Sequence, residues 1–363
     1  MTITKVTDAG LDRSRIVTPL IINGDMQVAQ RATSSTGKTA SGYYACDRWH
    51  INLSSLGTWT IAQESLTSGD AYNSGFTKSF RVDCTTADGS PGASDSLLVR
   101  QKFEGQNLRS LKKGTSSAEK LTVTFWVKSN KTGTYTTAFY DHDNTRFVSK
   151  NYTISSADTW EKKVINFPAD TTGAMDNDNA VSLDLRWYLG AGSNATGGTQ
   201  ATTWESFTAA NAIPSGHVNL ADSTDNDWAI TGVQLEVGEF DANTIPTFPF
   251  ESFENNLRKC ERYFQKHDGF EGTASQTTQF QSVQTFHTPM RASPSASISG
   301  VLVVTDTDTD YTQSSANGAI TAGRVSTTAV QLNFGNLSGM TRFRPTQQNV
   351  GANSCHMQMD AEL

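Results

Sequence analysis

The chain has 363 residues, 36% of them hydrophobic and 18% charged, with a formal net charge of −7. That length exceeds the usual size of one domain, so two domains are expected. The charge balance, without a basic block, argues against a nucleic-acid binder, and no apolar run approaches the roughly 20 residues of a membrane span. With 28 glycines and abundant Ser, Thr, Asn and Asp, the composition fits an all-β protein rich in turns. Cys46, Cys84, Cys260 and Cys355 lie far apart with no CxxC pair, so free thiols in a protein made in a reducing cytosol are expected. The N-terminal "MTITKVTDAGLDRSR" has no apolar core of the kind a signal peptide needs.

In chain order, the first ordered-looking stretch is "LIINGDMQVAQR" (20–31), an apolar start running into an Asn-Gly turn. Strand-period alternation then recurs. "SFRVDC" alternates Phe80, Val82 and Cys84. "KLTVTFWVKSN" sets Leu121, Val123, Phe125 and Val127 on one face, with Thr122, Thr124, Trp126 and Lys128 on the other. "WEKKVINF", "VSLDLRWYLG" and "WAITGVQLEVG" read the same way, separated by turn chemistry such as "NKTGT" and "GAGSNATGGT". This pattern predicts a jelly-roll β-sandwich over 20–245.

All seven tryptophans lie between Trp49 and Trp228, and Pro246 and Pro249 interrupt the chain thereafter, which places a boundary near residue 250. Residues 246–264 then read as a linker and one short helix. Within "FENNLRKCERYF" (253–264), Phe253, Leu257, Cys260 and Phe264 make one apolar stripe. Such a stripe either packs on its own domain or meets copies of itself on an oligomer axis. Strand patterns resume over 265–363, a smaller C-terminal β domain. Its last strand alternates Cys355, Met357 and Met359 against His356, Gln358 and Asp360.

The search for chemistry finds no HExxH spacing among the six histidines, no G-x-S-x-G elbow and no phosphate-cradling loop. Carboxylate pairs for glycoside hydrolysis leave no local trace; Asp184 beside Arg186, or Glu64 with Glu104, could be proposed. Acid clusters at turns, Asp176 with Asp178, Asp225 with Asp227, and Asp306, Asp308 and Asp310, offer oxygen ligands suited to a structural calcium ion, although turn formation alone explains them. No other cofactor is expected. Aromatics are the best pointer to a ligand: Trp59, Trp187, Tyr188 and Trp204 could stack on sugar rings, or could fill the core.

The ordered series "NGDMQVAQR", "YYACDRW", "LTVTFWVKSNKTGTY", "TWEKKVINFPADTTG" and "ITGVQLEVG…LRKCERYF" resembles a family of bacteriophage tail-fibre and virion-appendage proteins that carry a jelly roll like those of carbohydrate-binding modules. The resemblance covers residues 21–264. It implies that "NGDMQVAQR" is a first strand and turn, that Gln30 and Arg31 hydrogen-bond across the module, and that Trp49 anchors a sheet. It implies a non-enzymatic virion protein, homotrimeric, attached to other tail or capsid proteins through residues 1–19 and adhering to host-surface glycan. On this reading it is made in the host cytoplasm and located in the virion, without nucleic acid or membrane insertion. A polysaccharide depolymerase and a purely architectural protein are the alternatives.

Overall fold

The computed structural model describes residues 19–306, 309–313, 320–349 and 355–363. The expected attachment segment therefore lies outside the described residues apart from Pro19, as does Asp308 of the "DTDTD" run. The fold is all-β, a two-sheet jelly roll followed by one short helix and a smaller β unit.

The first sheet of the sandwich has six strands, in the spatial order Ser34–Lys38, Thr58–Ser65, Lys78–Thr86, Asp227–Val237, Leu121–Ser129 and Glu161–Phe167. The second has seven: Glu205–Ser206, Arg146–Ile154, Gly133–Asp141, Val181–Ala191, Ser96–Glu104, His50–Ser54 and Gly42–Tyr43. Strand alternation decides what lies between them. Leu121, Val123, Phe125 and Val127 all face the core, together with Phe80, Val82 and Cys84. Trp187 sits at the centre, its ring centroid 5.7 Å from that of Trp49 and 5.6 Å from that of Phe125.

Residues 21–33 form no strand, contrary to the expectation for "NGDMQVAQR". The backbone turns into the left-handed region at Asn23 (φ 58°) and Met26 (φ 61°), which breaks any strand ladder. Side chains satisfy the buried peptide groups instead. The Asn23 carboxamide donates to the Val28 and Asp47 carbonyls at 2.8 and 3.0 Å and accepts from the Val28 amide at 2.9 Å. Gln101 holds both the amide and the carbonyl of Ile22, and Gln63 donates to the carbonyls of Met26 and Gln27. Trp49 Nε1 donates to the Asn23 carbonyl at 2.9 Å, so Trp49 anchors this connector as well as the core. Glycine is required at position 24, because a Cβ there would lie 2.3 Å from the Val233 carbonyl oxygen.

The helix spans Phe253–Glu261, capped by the Ser252 hydroxyl, and is shorter than the expected 253–264. Phe264 instead opens the strand Phe264–His267, where it pairs with Asp360. The apolar stripe is thus divided. Cys260 and Phe264 are buried against their own chain, Leu257 is half-buried, and only Phe253 is exposed. Within the chain Phe264 lies under the Arg31 guanidinium, 3.7 Å from its ring centroid. All four cysteines are free thiols, and all four are buried.

The C-terminal unit has a core of its own, built on Phe270, Phe280 and Phe334 with Met290, Met340, Met357 and Met359. One small sheet orders Phe264–His267, His356–Asp360 and Ser295–Ser299. A larger one orders Asp310–Thr312, Val303–Thr305, Pro345–Gln348, Glu271–Gln276, Gln279–Thr285, Ala329–Phe334 and Ile320–Val325. Ion pairs join this unit to the sandwich, one of them buried on both sides. Arg48, 1% exposed, pairs with Glu362 and stacks on Tyr263; Arg31 pairs with Asp360 at 2.9 Å; and Arg262 grips Glu104 at 2.6 and 2.8 Å.

Replacing Asn23 with Ala strands two buried peptide groups, the Val28 amide and the Asp47 carbonyl, and forces a side chain less tolerant of positive φ into that turn. The expected loss is about 3 kcal/mol or more, read as a lower urea midpoint with an unchanged slope. An unchanged midpoint would sink the account of the connector.

Candidate functional site

The second sheet turns one face to the core, and its other face carries a continuous polar and aromatic band. Strand register sets two cross-strand rows on it. One runs Phe147, Tyr140, Asp184, Lys102; the other runs Ser149, Ala138, Arg186, Arg100, His50, Tyr43. At ~4.8 Å between neighbouring strands, the six strands of the longer row span ~24 Å.

Two structures wall the band. At one end, Phe207, Ala201, Ala212 and Ile213 of the segment after Ala191 cover Tyr188, Leu98 and Phe147. At the other, the Leu363 carbonyl takes hydrogen bonds from Tyr43 and Lys102. Between these walls Tyr43, Arg100, Lys102, Tyr140 and His142 remain half-buried, open to solvent on one side.

Asp184 forms the floor. Wholly buried, it accepts from Arg186 Nε and Nη2 at 2.7 and 3.1 Å, from Arg100 at 3.4 Å, and meets His142 Nε2 at 3.2 Å. Burial alone would raise its pKa, but the Arg186 and His142 side chains hold the carboxyl well below the ordinary range. Pinned this way, the Arg186 guanidinium lies over Tyr140, its Cζ 4.2 Å from the ring centroid, while His142 and Phe207 meet the Tyr140 ring edge-on at 4.7 and 5.1 Å. Burial, with Arg100 and Lys102 nearby, pushes the His50 pKa down to about 3, so this imidazole is neutral and accepts from Arg100 Nε at Nδ1. Burial and the neighbouring Arg100 lower Lys102 to about 8. Within the two rows Arg100, Lys102 and Arg186 face the single carboxylate of Asp184, while Glu362 acts on Lys102 and Tyr43 from beside the band.

The residues expected to stack on sugar fall elsewhere. Trp59 and Trp187 have no exposed surface: both point into the core, and Trp59 Nε1 donates to the Leu56 carbonyl. Tyr188 is on the band's side of its strand but lies beneath the covering segment, 5% exposed. Trp204 is half-buried at the sandwich edge, donating to the Pro168 carbonyl with Lys113 over its ring. The structure does not bring these four together. Parity along "VSLDLRWYLG" carried the missing signal, since Asp184 and Arg186 alternate with Leu183, Leu185 and Trp187 and so share the opposite face.

Asp176 and Asp178 are exposed; the Asp178 carboxylate closes its own turn onto the Ala180 amide at 2.9 Å, and the Asp176 amide donates to Asp143. Among the described residues no group of three or more His, Cys, Asp or Glu side chains converges to hold a metal ion. Glu64 and Glu104 lie on different sheets, bound to Arg81 and Arg262 respectively.

No protein-family model matches the chain, and no curated protein matches it. Among solved structures, the chain is similar to the enzymatically active domain of tailspike protein 4 of bacteriophage CBA120. That likeness has 13% identity and a TM-score of 0.30 over 60% of this chain and 21% of that one, so the chain spans about a fifth of the tailspike's length. It is also similar to a family 11 carbohydrate-binding module from Clostridium thermocellum in complex with a β-1,3-1,4-mixed-linked tetrasaccharide, with 10% identity and a TM-score of 0.28 over 57% and 97% of the two chains. A third, CBM4, shows 10% identity and a TM-score of 0.30 over 59% and 97%.

Two outcomes are expected. Asp184→Ala leaves a buried guanidinium unpaired and should cost about 3–5 kcal/mol, measured by chemical denaturation. His50, with a folded pKa of about 3 against ~6.5 unfolded, resists protonation that the unfolded chain accepts. Its contribution is complete above about pH 6.5 and is lost as pH falls toward 3, so His50→Gln should flatten the decline in melting temperature between pH 7 and 4.

Proposed function

We propose that the chain is a non-enzymatic adhesion protein of a phage tail or virion appendage that binds host-surface glycan along the outward face of its seven-stranded sandwich sheet. The observation that carries this reading is the Tyr140–Arg186 stack, held in place by the buried Asp184 and left half-open beside Arg100, His142 and His50. A flat aromatic ring offers its surface to the apolar side of a sugar, and fixed guanidinium and imidazole groups offer hydrogen bonds to hydroxyls. The phage assignment rests on the sequence resemblance over residues 21–264. Trimerisation, with attachment to other virion proteins through residues 1–19, belongs to the same proposal; three copies would add avidity to weak single-site contacts.

A depolymerase reading is less well supported on this face. Glycoside hydrolysis needs two carboxyl groups, one kept protonated as general acid. Asp184 is the single acid of the two rows, and it is held ionised with its oxygens bound.

Titration of purified surface polysaccharide from a susceptible host into the full chain tests the reading. Saturable binding is expected, with Tyr140→Ala weakening it about tenfold or more while the melting temperature holds. No binding to any host polysaccharide would defeat the adhesion reading, and release of reducing ends would restore the enzyme.

A further inference from the structure

One loop of the sandwich closes on a lysine. The Lys113 side chain is 5% exposed, and its ammonium ends among oxygens from two other segments. It pairs with the carboxylate of Asp141, at the end of the strand Gly133–Asp141, and with that of Asp170 at 2.9 Å. It also donates to the carbonyls of Thr172 and Gly173 at 3.2 and 2.9 Å. The Trp204 ring covers it, with Nζ 5.1 Å from the centroid. Both carboxylates are buried.

Four oxygens thus surround a group with three N–H bonds, one acceptor more than the ammonium can serve singly. Two of the four are backbone carbonyls, brought in by a loop that needs glycine at both of its contacts with neighbouring chain. Gly114 and Gly173 adopt φ 79° and 74°, and a Cβ would lie 2.4 Å from the Ala174 nitrogen at the first and 2.6 Å from Asn144 Cγ at the second. The carboxylates have further partners that position them without the lysine. Arg146 binds Asp170 at 2.8 and 2.9 Å, and Asn144 donates to Asp141 from its amide and its carboxamide, each at 3.0 Å. Burial alone would raise the Asp170 pKa, but Arg146 and Lys113 hold the carboxyl below the ordinary range. Two carboxylates and two carbonyls are the oxygen set of a hard cation such as calcium.

We propose that this cage is a cation site in which the Lys113 ammonium stands in place of a metal ion, and that removing the ammonium opens the cage to calcium. Lys113 and Arg146 balance Asp141 and Asp170, so without Lys113 the buried group keeps one uncompensated negative charge, which a bound cation relieves. The loop leading to Asp176 is fastened at Thr172 and Gly173 by the chain's own charge, where a calcium ion was expected to do such work. Asp141 also lies between Tyr140 and His142, so the resident cation fixes the strand end that carries both.

The test compares the full parent chain with Lys113→Ala, which vacates the cage, and Lys113→Met, which fills it without charge. In EDTA both variants should melt on the order of 10 °C below the parent. Calcium chloride should restore most of the loss in Lys113→Ala, with a Kd on the order of 10⁻⁴–10⁻³ M, and none in Lys113→Met. The parent should respond to neither EDTA nor calcium. Terbium(III) reports occupancy directly, because Trp204 is close enough to sensitise its emission. Saturable, calcium-displaceable emission is expected from Lys113→Ala alone, and it should be lost when Trp204→Phe is added. A Lys113→Ala chain with no calcium response and no sensitised emission overturns the proposal. So does the same response in Lys113→Met, which would mark a general ion effect, or in the parent, which would mean that the lysine does not fill the cage. Should Lys113→Ala fail to fold in EDTA, it is refolded with and without calcium: recovery with calcium only supports the proposal, and equal failure overturns it.

Discussion

The structure depends on one buried carboxamide. Asn23 turns the chain through a left-handed conformation that most side chains disfavour, and its own amide group closes the resulting loop onto Val28 and Asp47. The same residue binds outward on two sides. Its carbonyl receives Trp49 from the core, and its backbone amide donates to Asn256 on the helix at 3.1 Å. The neighbouring residues extend the reach: Gly24 receives Val233 from the six-stranded sheet, and Ile22 is held by Gln101 of the seven-stranded one. A connector of a dozen residues thus touches both sheets and the helix without belonging to any ladder. Its buried polar groups are satisfied side chain by side chain, which permits one arrangement where a strand could slip in register.

From this connector the position of the C-terminal unit follows. Gln30 donates to the Phe264 carbonyl at 2.9 Å, and Arg31, two charges deep, meets both Asp360 and Glu362. Arg48 completes the junction from the adjacent "DRW" turn, itself at φ 73°. Such pairs add little net stability over a hydrophobic contact, since desolvation of the buried ones and solvent screening of the Arg31–Asp360 pair offset most of the Coulomb gain. They add direction. An apolar interface between two β units tolerates sliding, whereas a guanidinium fixed at both ends does not. The two β units are therefore held in one orientation on the chain.

The regular parts of the fold were legible because alternation is a local signal. "KLTVTFWVKSN", "SFRVDC" and the terminal Cys355, Met357, Met359 series each place on the core side the residues their spacing predicts. The connector was not legible, since "NGDMQVAQR" has an apolar start and a turn but its conformation is decided by partners more than 20 residues distant, such as Asp47, Gln63 and Gln101. The helix pattern runs three residues past the observed helix for a similar reason. The four-residue step from Cys260 to Phe264 suits a helical face, but pairing with Asp360 draws Phe264 into a sheet. At the candidate site the error was one of type. Tryptophan is the residue type suited to a sugar platform, yet in a sandwich the largest rings are those whose burial in the core removes the most apolar surface from water. Tyr140 and Arg186, ordinary in composition, acquire their arrangement only from neighbouring strands.

That outcome follows from how a sandwich divides its residues. Each strand has two faces, and hydrophobic burial claims one for the interior. Recognition must then be built from what stays outside, and outside positions hold polar side chains unless something fixes them. Here Asp184 supplies the fixing: buried beneath the band, it orients Arg186, which in turn supports the Tyr140 ring. A surface assembled in this way keeps its groups in place before a ligand arrives, so little side-chain freedom remains to be lost on binding. Pre-organisation matters most for ligands that make few strong contacts, and a polysaccharide strand is such a ligand.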